Sequence, residues 1–288
     1  MSRFTLNDLE SLTGIKTDTI RIWERRYNIL SPNRTHTNRR WYDDDDLSKL
    51  INVSLLNHNG IKISKLAMMS DSEINDRAAA LSENTKTSDN IISSLVIAMN
   101  GYNESAVNEL IIRSIIIRGF EKTFTDVLFP LLHKVGIMWH TRAIDPSTEH
   151  FITMICRQKL IAASDALSAV KTGKSSKILM YLPEGEFHEL GLLYFSYIVR
   201  KKGHEVLYLG QATPYDSVIE ACAAWSPDIV ITGIQTELNV AKPAEYLKKL
   251  SAALGRQTIF AGGGLAKYAG ILKLKNVKAL NSEEDLSL

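Results

Sequence analysis

Two cysteines, Cys156 and Cys222, are all that a chain of 288 residues contains, and they form neither a Cys-x-x-Cys pair nor a disulfide framework. A disulfide-stapled secreted protein and a cysteine-zinc protein are excluded on that ground, and a reducing cytoplasm is the expected compartment. No stretch approaches the roughly 18 consecutive apolar residues of a membrane helix. The opening MSRFTLNDLE is polar and acidic where a secretory leader is apolar. Proline, at 7 residues, and glycine, at 16, are too few for a low-complexity chain. What remains is an ordinary globular composition, 45% hydrophobic and 23% charged, long enough for two or three domains.

Charge is balanced overall, at a net +2, but unevenly placed. Between Lys16 and Trp41, the bases Lys16, Arg21, Arg25, Arg26, Arg34, Arg39 and Arg40 face only Asp18 and Glu24. A solvated charged face is the bland reading of such a patch; a phosphate footprint, and so nucleic acid, is the other. The local pattern favours the second. Thr5 opens a short helix striped by Leu6, Leu9 and Leu12, and Gly14 ends it. Thr17 or Asp18 can cap a second helix with Ile20, Trp23 and Tyr27 on one face and Arg21, Arg25 and Arg26 outward. Helix, turn and arginine-bearing helix is the arrangement of a DNA reader. Pro32 closes that unit, 34–42 reads as a basic β-hairpin wing, and Asp43 to Asp46 open a further helix at 47–57.

Polar linkers at 82–89 and 171–176 divide the rest. Between them, helical spacing at 91–99, 105–118, 120–139 and 147–170 predicts a four-helix bundle. After the second linker the period changes. Apolar runs at 177–182, 205–209, 228–232 and 258–261 alternate with helices at 190–202, 214–225 and 241–254, which predicts a doubly wound, Rossmann-like parallel α/β domain. The predicted domains are a winged helix-turn-helix at 1–80, a bundle at 88–172 and the α/β domain at 175–288.

The loop after the first α/β strand carries Glu184, Glu186, His188 and Gly191. A carboxylate two residues before a histidine can hold one ring nitrogen and present the other to a ligand, although a lone loop histidine is usually only a surface turn. Glu-x-Glu-x-His-x-x-Gly resembles the signature of cobalamin-binding domains. That resemblance implies His188 as the lower axial cobalt ligand, Gly210–Pro214 as a binding loop, and Gly262 and Gly263 as the passage for the nucleotide tail. It implies Thr232 or Thr236 as the partner of the nucleotide base; the alignment does not choose between them. The bundle carries Trp139, His140, Glu149 and His150, which taken alone are a core tryptophan and a polar helix start. Their spacing resembles the cap of CarH/LitR-type cobalamin-dependent, light-sensitive transcriptional regulators. In that family the tryptophan covers the adenosyl group, the Glu-His pair borders it, and the histidine in the position of His140 captures cobalt after photolysis. Ala143 and Pro146 depart from the family pattern.

Thr19-Ile20-Arg21-Ile22-Trp23-Glu24-Arg25-Arg26-Tyr27 in turn resembles the recognition helix of MerR-type regulators, and Pro32-x-Arg34 with Arg40-Trp41-Tyr42 their wing, with Asn38 and Arg39 departing from it. The resemblance assigns DNA contact to Thr19, Arg21, Trp23, Arg25 and Arg26 in the helix and to Arg34, Arg39, Arg40 and Tyr42 in the wing. It covers nearly the whole chain. It implies a non-enzymatic repressor that uses adenosylcobalamin, with methylcobalamin as the alternative, binds double-stranded DNA, and assembles into a dimer or tetramer away from any membrane. The rival readings are a cobalamin-sensing or cobalamin-independent MerR-type regulator without a light response, and a corrinoid-carrying module of a methyltransferase.

Overall fold

A computed structural model of the protein describes residues 4–13, 15–34, 39–58, 60–84, 88–140, 144–167, 175–235 and 242–286. By compactness the chain divides in two, Met1–Ile155 and Cys156–Leu288, so that the expected reader and most of the expected bundle fall in one unit.

In the first unit, α1 (Leu6–Thr13) starts as its sequence predicts. The Thr5 hydroxyl accepts the Asp8 N–H at 3.3 Å, and the Asp8 carboxylate accepts the Thr5 N–H at 2.7 Å, a reciprocal cap. α2 (Thr17–Tyr27) begins without a side-chain cap at Lys16. Thr17 and Asp18, expected as caps, are its first helical residues, and Asp18 instead pairs with Arg21 at 3.1 Å. Asn28 ends the helix in the left-handed conformation, φ 51°. β1 (Asn33–Arg34) and β2 (Arg40–Trp41) form the expected antiparallel hairpin, with Arg34 opposite Arg40. Its tip, including Asn38, lies outside the described residues. Asp43 and Asp46 exchange backbone-to-carboxylate bonds at the head of α3 (Asp44–His58), as the aspartate run predicts.

α4 (Ile63–Leu66) and α5 (Asp71–Asn84) follow. The latter runs past residue 80, and α6 (Ser88–Asn100) resumes almost at once, so most of the polar stretch expected as a linker is helix. Polarity ended the apolar stripe there without ending the backbone pattern. α7 (Glu104–Arg118) is capped by the Asn103 side chain. The helix expected unbroken from 120 to 139 is α8 (Phe120–Thr123), a π-turn (Phe124–Leu128) and α9 (Phe129–His140). Pro130, which has no N–H to give, stands two residues past the end of the π-turn. α10 (Pro146–Asp165) starts on a proline in its first turn and ends before the expected Val170.

The second unit holds a five-stranded parallel sheet in the order β4-β3-β5-β6-β7. In chain order its elements are β3 (Lys177–Pro183), α11 (Leu190–Lys201), β4 (Glu205–Thr213), α12 (Tyr215–Trp225), β5 (Ile229–Ile234), α13 (Pro243–Ala253), β6 (Thr258–Gly263), α14 (Ala266–Leu272) and β7 (Val277–Leu280). β3 sends Leu179 and Tyr181 into one core layer and Ile178, Met180 and Leu182 into the other. Helices cover both faces of such a strand, so its sequence is apolar without alternation. The chain leaves β3 for β4 on one side and later returns to β5 on the other. The strand order therefore reverses at β3, which opens a ligand crevice at the carboxyl ends. Gly210–Thr213, expected as a loop, continues β4, with Gly210 at φ 86° and Ala212 at φ 47° and the register against β3 shifted beside them.

The β5–β6 pair dictates one glycine. Gly263 has φ +56°, and a Cβ there would stand 2.1 Å from the Ile234 carbonyl oxygen. We expect Gly263→Ala to destabilise the α/β unit by about 1–3 kcal/mol or more without any ligand present. The midpoint of thermal unfolding measures this, and an unchanged midpoint would show that the strand ends spread freely.

Candidate functional site

In the reader, burial sorts the expected DNA contacts. Arg21, Arg25, Arg26, Arg34, Arg39 and Arg40 are exposed and Thr19 is half-buried. Trp23 and Tyr42, expected at the DNA, are instead packed inside, Tyr42 fully. The Tyr42 hydroxyl donates to Glu24, whose carboxylate also lies 3.5 Å from Arg40. Burial first, and Glu24 second, push the Tyr42 phenol far above its usual range, so it remains a donor at every working pH. Glu24 thus ties recognition helix, wing and a wing arginine together. The cavity on this side is lined by Arg21, Ile22, Arg25, Arg34 and Arg40 among others.

In the helical part, Trp139 is 46% exposed at the end of α9. Glu149 and His150 open α10 with Oε2 and Nε2 3.9 Å apart, and Glu149 also accepts the Thr153 hydroxyl at 2.8 Å. The side chain of His140 lies outside the described residues. A large apolar ring left in solvent is a costly surface unless something covers it.

The α/β unit gives the most complete geometry. Glu186 is fully buried. Its Oε1 accepts the His188 backbone N–H at 2.8 Å and meets His188 Nδ1 at 2.6 Å, while Oε2 accepts the Gln235 N–H at 2.7 Å. The Glu186 carbonyl accepts the Ala212 N–H at 3.0 Å, so the ends of β3, β4 and β5 converge on one residue. The His188 side chain is 62% exposed. With Nδ1 engaged by the carboxylate, Nε2 is the nitrogen a metal would take. Glu184 is exposed in the turn before it. Gly191, in the first turn of α11, has open space where a Cβ would stand, and Gly262 would meet only ordinary contacts, so neither is a glycine for steric reasons. Thr236 lies outside the described residues.

Thr232, at the carboxyl end of β5, is buried beside the Tyr181–Tyr246 pair, whose hydroxyls are 2.5 Å apart. Its Oγ1 has no well-formed hydrogen-bond partner among the described residues. A buried hydroxyl left so is costly unless a ligand atom satisfies it. The held imidazole and the orphaned hydroxyl, both at the switch-point edge, fit a corrinoid with a base-bearing tail. Sequence reasoning missed Glu189. It is buried next to His188, 2.5 Å from Arg157 Nη2 of α10, and accepts the Tyr208 hydroxyl at 2.8 Å. Its partners, Arg157 and Tyr208, distinguish it from the other acids of its loop. Among the described residues no group of three or more His, Cys, Asp or Glu forms a metal cluster, and no helix is long and apolar enough to cross a membrane.

Two segments match family models, 4–73 as a MerR HTH family regulatory protein and 176–279 as a B12 binding domain. The chain therefore joins a MerR-type regulatory segment to a B12-binding domain. It is 28% identical to the HTH-type transcriptional repressor CarH of Myxococcus xanthus over 98% of this chain and 96% of that protein. It is 28% identical to the repressor CarA of the same organism over 86% of this chain and 81% of that one. The monomethylamine corrinoid protein of Methanosarcina barkeri shares the fold, with a TM-score of 0.55 at 15% identity over 68% of this chain and 94% of that chain.

Arg25 is exposed on α2. Arg25→Ala should weaken binding to all duplexes alike and lower the slope of log K against log salt by about one. Filter binding at several salt concentrations measures it, and an unchanged slope removes Arg25 from the interface.

Proposed function

We propose that the protein is a cytoplasmic, light-sensitive repressor that uses adenosylcobalamin to control an assembly of DNA readers. The carrying observation is the His188–Glu186–Gln235 chain of hydrogen bonds at the strand ends, a preformed and oriented imidazole. Both Myxococcus relatives are named repressors, which supports repression here. When bound, the corrin supplies visible absorption and a cobalt–carbon bond that light can break.

Every other part belongs to the chain. His188 would hold the cobalt from below through Nε2, and Glu186 keeps the ring in the tautomer that leaves this nitrogen to the metal. Thr232 would donate to the base of the tail, ending its own unsatisfied burial. Gly262 and Gly263 would border the tail. Trp139 would cover the adenosyl group, with Glu149 and His150 at its edge, and His140 would be a second histidine able to hold the cobalt. A tryptophan buries about 150–250 Å². At about 25 cal/mol per Å² even half of that is comparable to the 1–3 kcal/mol of a typical allosteric coupling. The cover that Trp139 gives would supply the preference for the assembled, DNA-bound state. Linked readers bind repeated sites with an avidity that single ones lack.

The visible spectrum after mixing with adenosylcobalamin in the dark tests the cofactor, and its change in light tests the signal. His188→Ala should weaken corrin binding and leave a base-off spectrum; unaltered affinity and spectrum would sink the lower-ligand assignment. Trp139→Ala should still bind cobalamin through His188 but lose dark assembly in size-exclusion chromatography. A variant that assembles in the dark and disperses in light like the parent would overturn the switch and leave the cofactor assignment standing. A parent that binds cobalamin and ignores light would be a cobalamin sensor instead.

A further inference from the structure

Ile22 is a large apolar side chain on the cationic face of the recognition helix. It is 42% exposed, whereas Ile20 and Trp23 on either side of it are buried. Spacings of three and four residues put Asp18, Ile22, Arg25 and Arg26 along one side of α2, away from that core. The same cavity gathers Arg21, Arg25, Arg34 and Arg40 around the isoleucine. Packing does not require a β-branched apolar residue at this exposed position, and the helix does not favour one, since Ile ranks below Arg, Lys and Glu in propensity.

The surrounding charge selects the occupant. Four guanidinium groups outnumber the carboxylates of Asp18 and Glu24 in the same lining, so the surface is net cationic and draws onto phosphates, which offer nothing apolar to an isoleucine. A protein partner apolar enough to cover Ile22 would have to desolvate the arginines around it. The major groove satisfies both demands at once, with phosphates at its rim and the C5-methyl group of thymine on its floor. The arginines fix position, and position carries no sequence information.

We infer that Ile22 is a specificity-determining residue that reads thymine through its C5-methyl group. The inference rests on the DNA-reader assignment and goes beyond it by naming the residue that chooses a base.

The test uses the full chain with a duplex selected from a random pool by that chain. Each thymine is replaced in turn by deoxyuridine, which removes the methyl group and leaves every hydrogen-bonding atom in place. Parent binding should fall about fourfold at one position, the effect of exposing a single methyl-sized group. Ile22→Ala should bind the thymine duplex more weakly by a similar factor. It should be indifferent to uracil at that position and keep the parent's salt slope. A parent indifferent to every uracil, or an Ile22→Ala protein that still discriminates against it, overturns the inference while the reader stands. A chain that selects no duplex, and whose weak binding to any DNA lacks a salt slope, overturns the reader and the inference together.

Discussion

Burying a carboxylate is costly unless its oxygens are filled, and Glu186 is buried completely. It stays there because three N–H groups converge on it, two from His188 and one from Gln235. Those donors belong to different strand ends, and the backbone carbonyl of the same residue adds a third end through Ala212. The carboxylate therefore closes the crevice edge of the sheet and aims the imidazole by the same set of bonds. Removing either consequence would remove the other. The loop could relax into an ordinary surface turn only by leaving a charge buried and unpaired, which gives the site its rigidity before any ligand arrives.

The reader uses the same device on a smaller scale. Glu24 is mostly buried, receives the Tyr42 hydroxyl and stands 3.5 Å from Arg40. Arg34 lies directly across the hairpin from Arg40, and like charges so placed repel. Glu24 offsets part of that repulsion from within, and it also fixes the wing to α2. Phosphate would offset the rest from outside. An arginine pair at the wing is suited to a polyanion. In both units a buried acid spends its charge on orienting a group that a ligand will use.

What the sequence made legible followed from periodicity and caps. The unbroken apolar run of β3 marked a strand covered on both faces, and Thr5 and the aspartates at 43–46 marked helix starts that the backbone confirms. The hidden parts had physical reasons. β7 is four residues long with a lysine inside it, too short and too polar for an apolar run to reveal. Gly210 pointed to a loop, yet a parallel strand tolerates its positive φ because the register shifts there. Trp23 and Tyr42 belonged to a DNA-binding pattern and turned out to be its supports. A motif records which residues occur together, not which of them touch the ligand. Glu189 and the Tyr181–Tyr246 pair gave no signal at all. Their importance lies in burial and in partners distant along the chain, 32 residues back to Arg157 and 65 between the tyrosines.

Exposed apolar groups mark where this economy is suspended. Among the described residues Ile22, Trp139 and Phe187 all stand in solvent, at 42%, 46% and 63%. Ile22 follows Arg21 in the chain, and Phe187 precedes His188. Scattered exposed hydrophobics are normal on any protein, so exposure alone argues little. Adjacency to an oriented polar group changes its meaning. Water solvates the polar member of such a pair well and the apolar member poorly. Only a ligand with both kinds of surface satisfies the two together. A DNA groove, with phosphate rim and methyl floor, is one such ligand. A corrin, with a metal at its centre and an apolar ring around it, is another. An apolar group next to a charged or oriented polar one therefore makes the same physical demand in the reader and in the α/β unit.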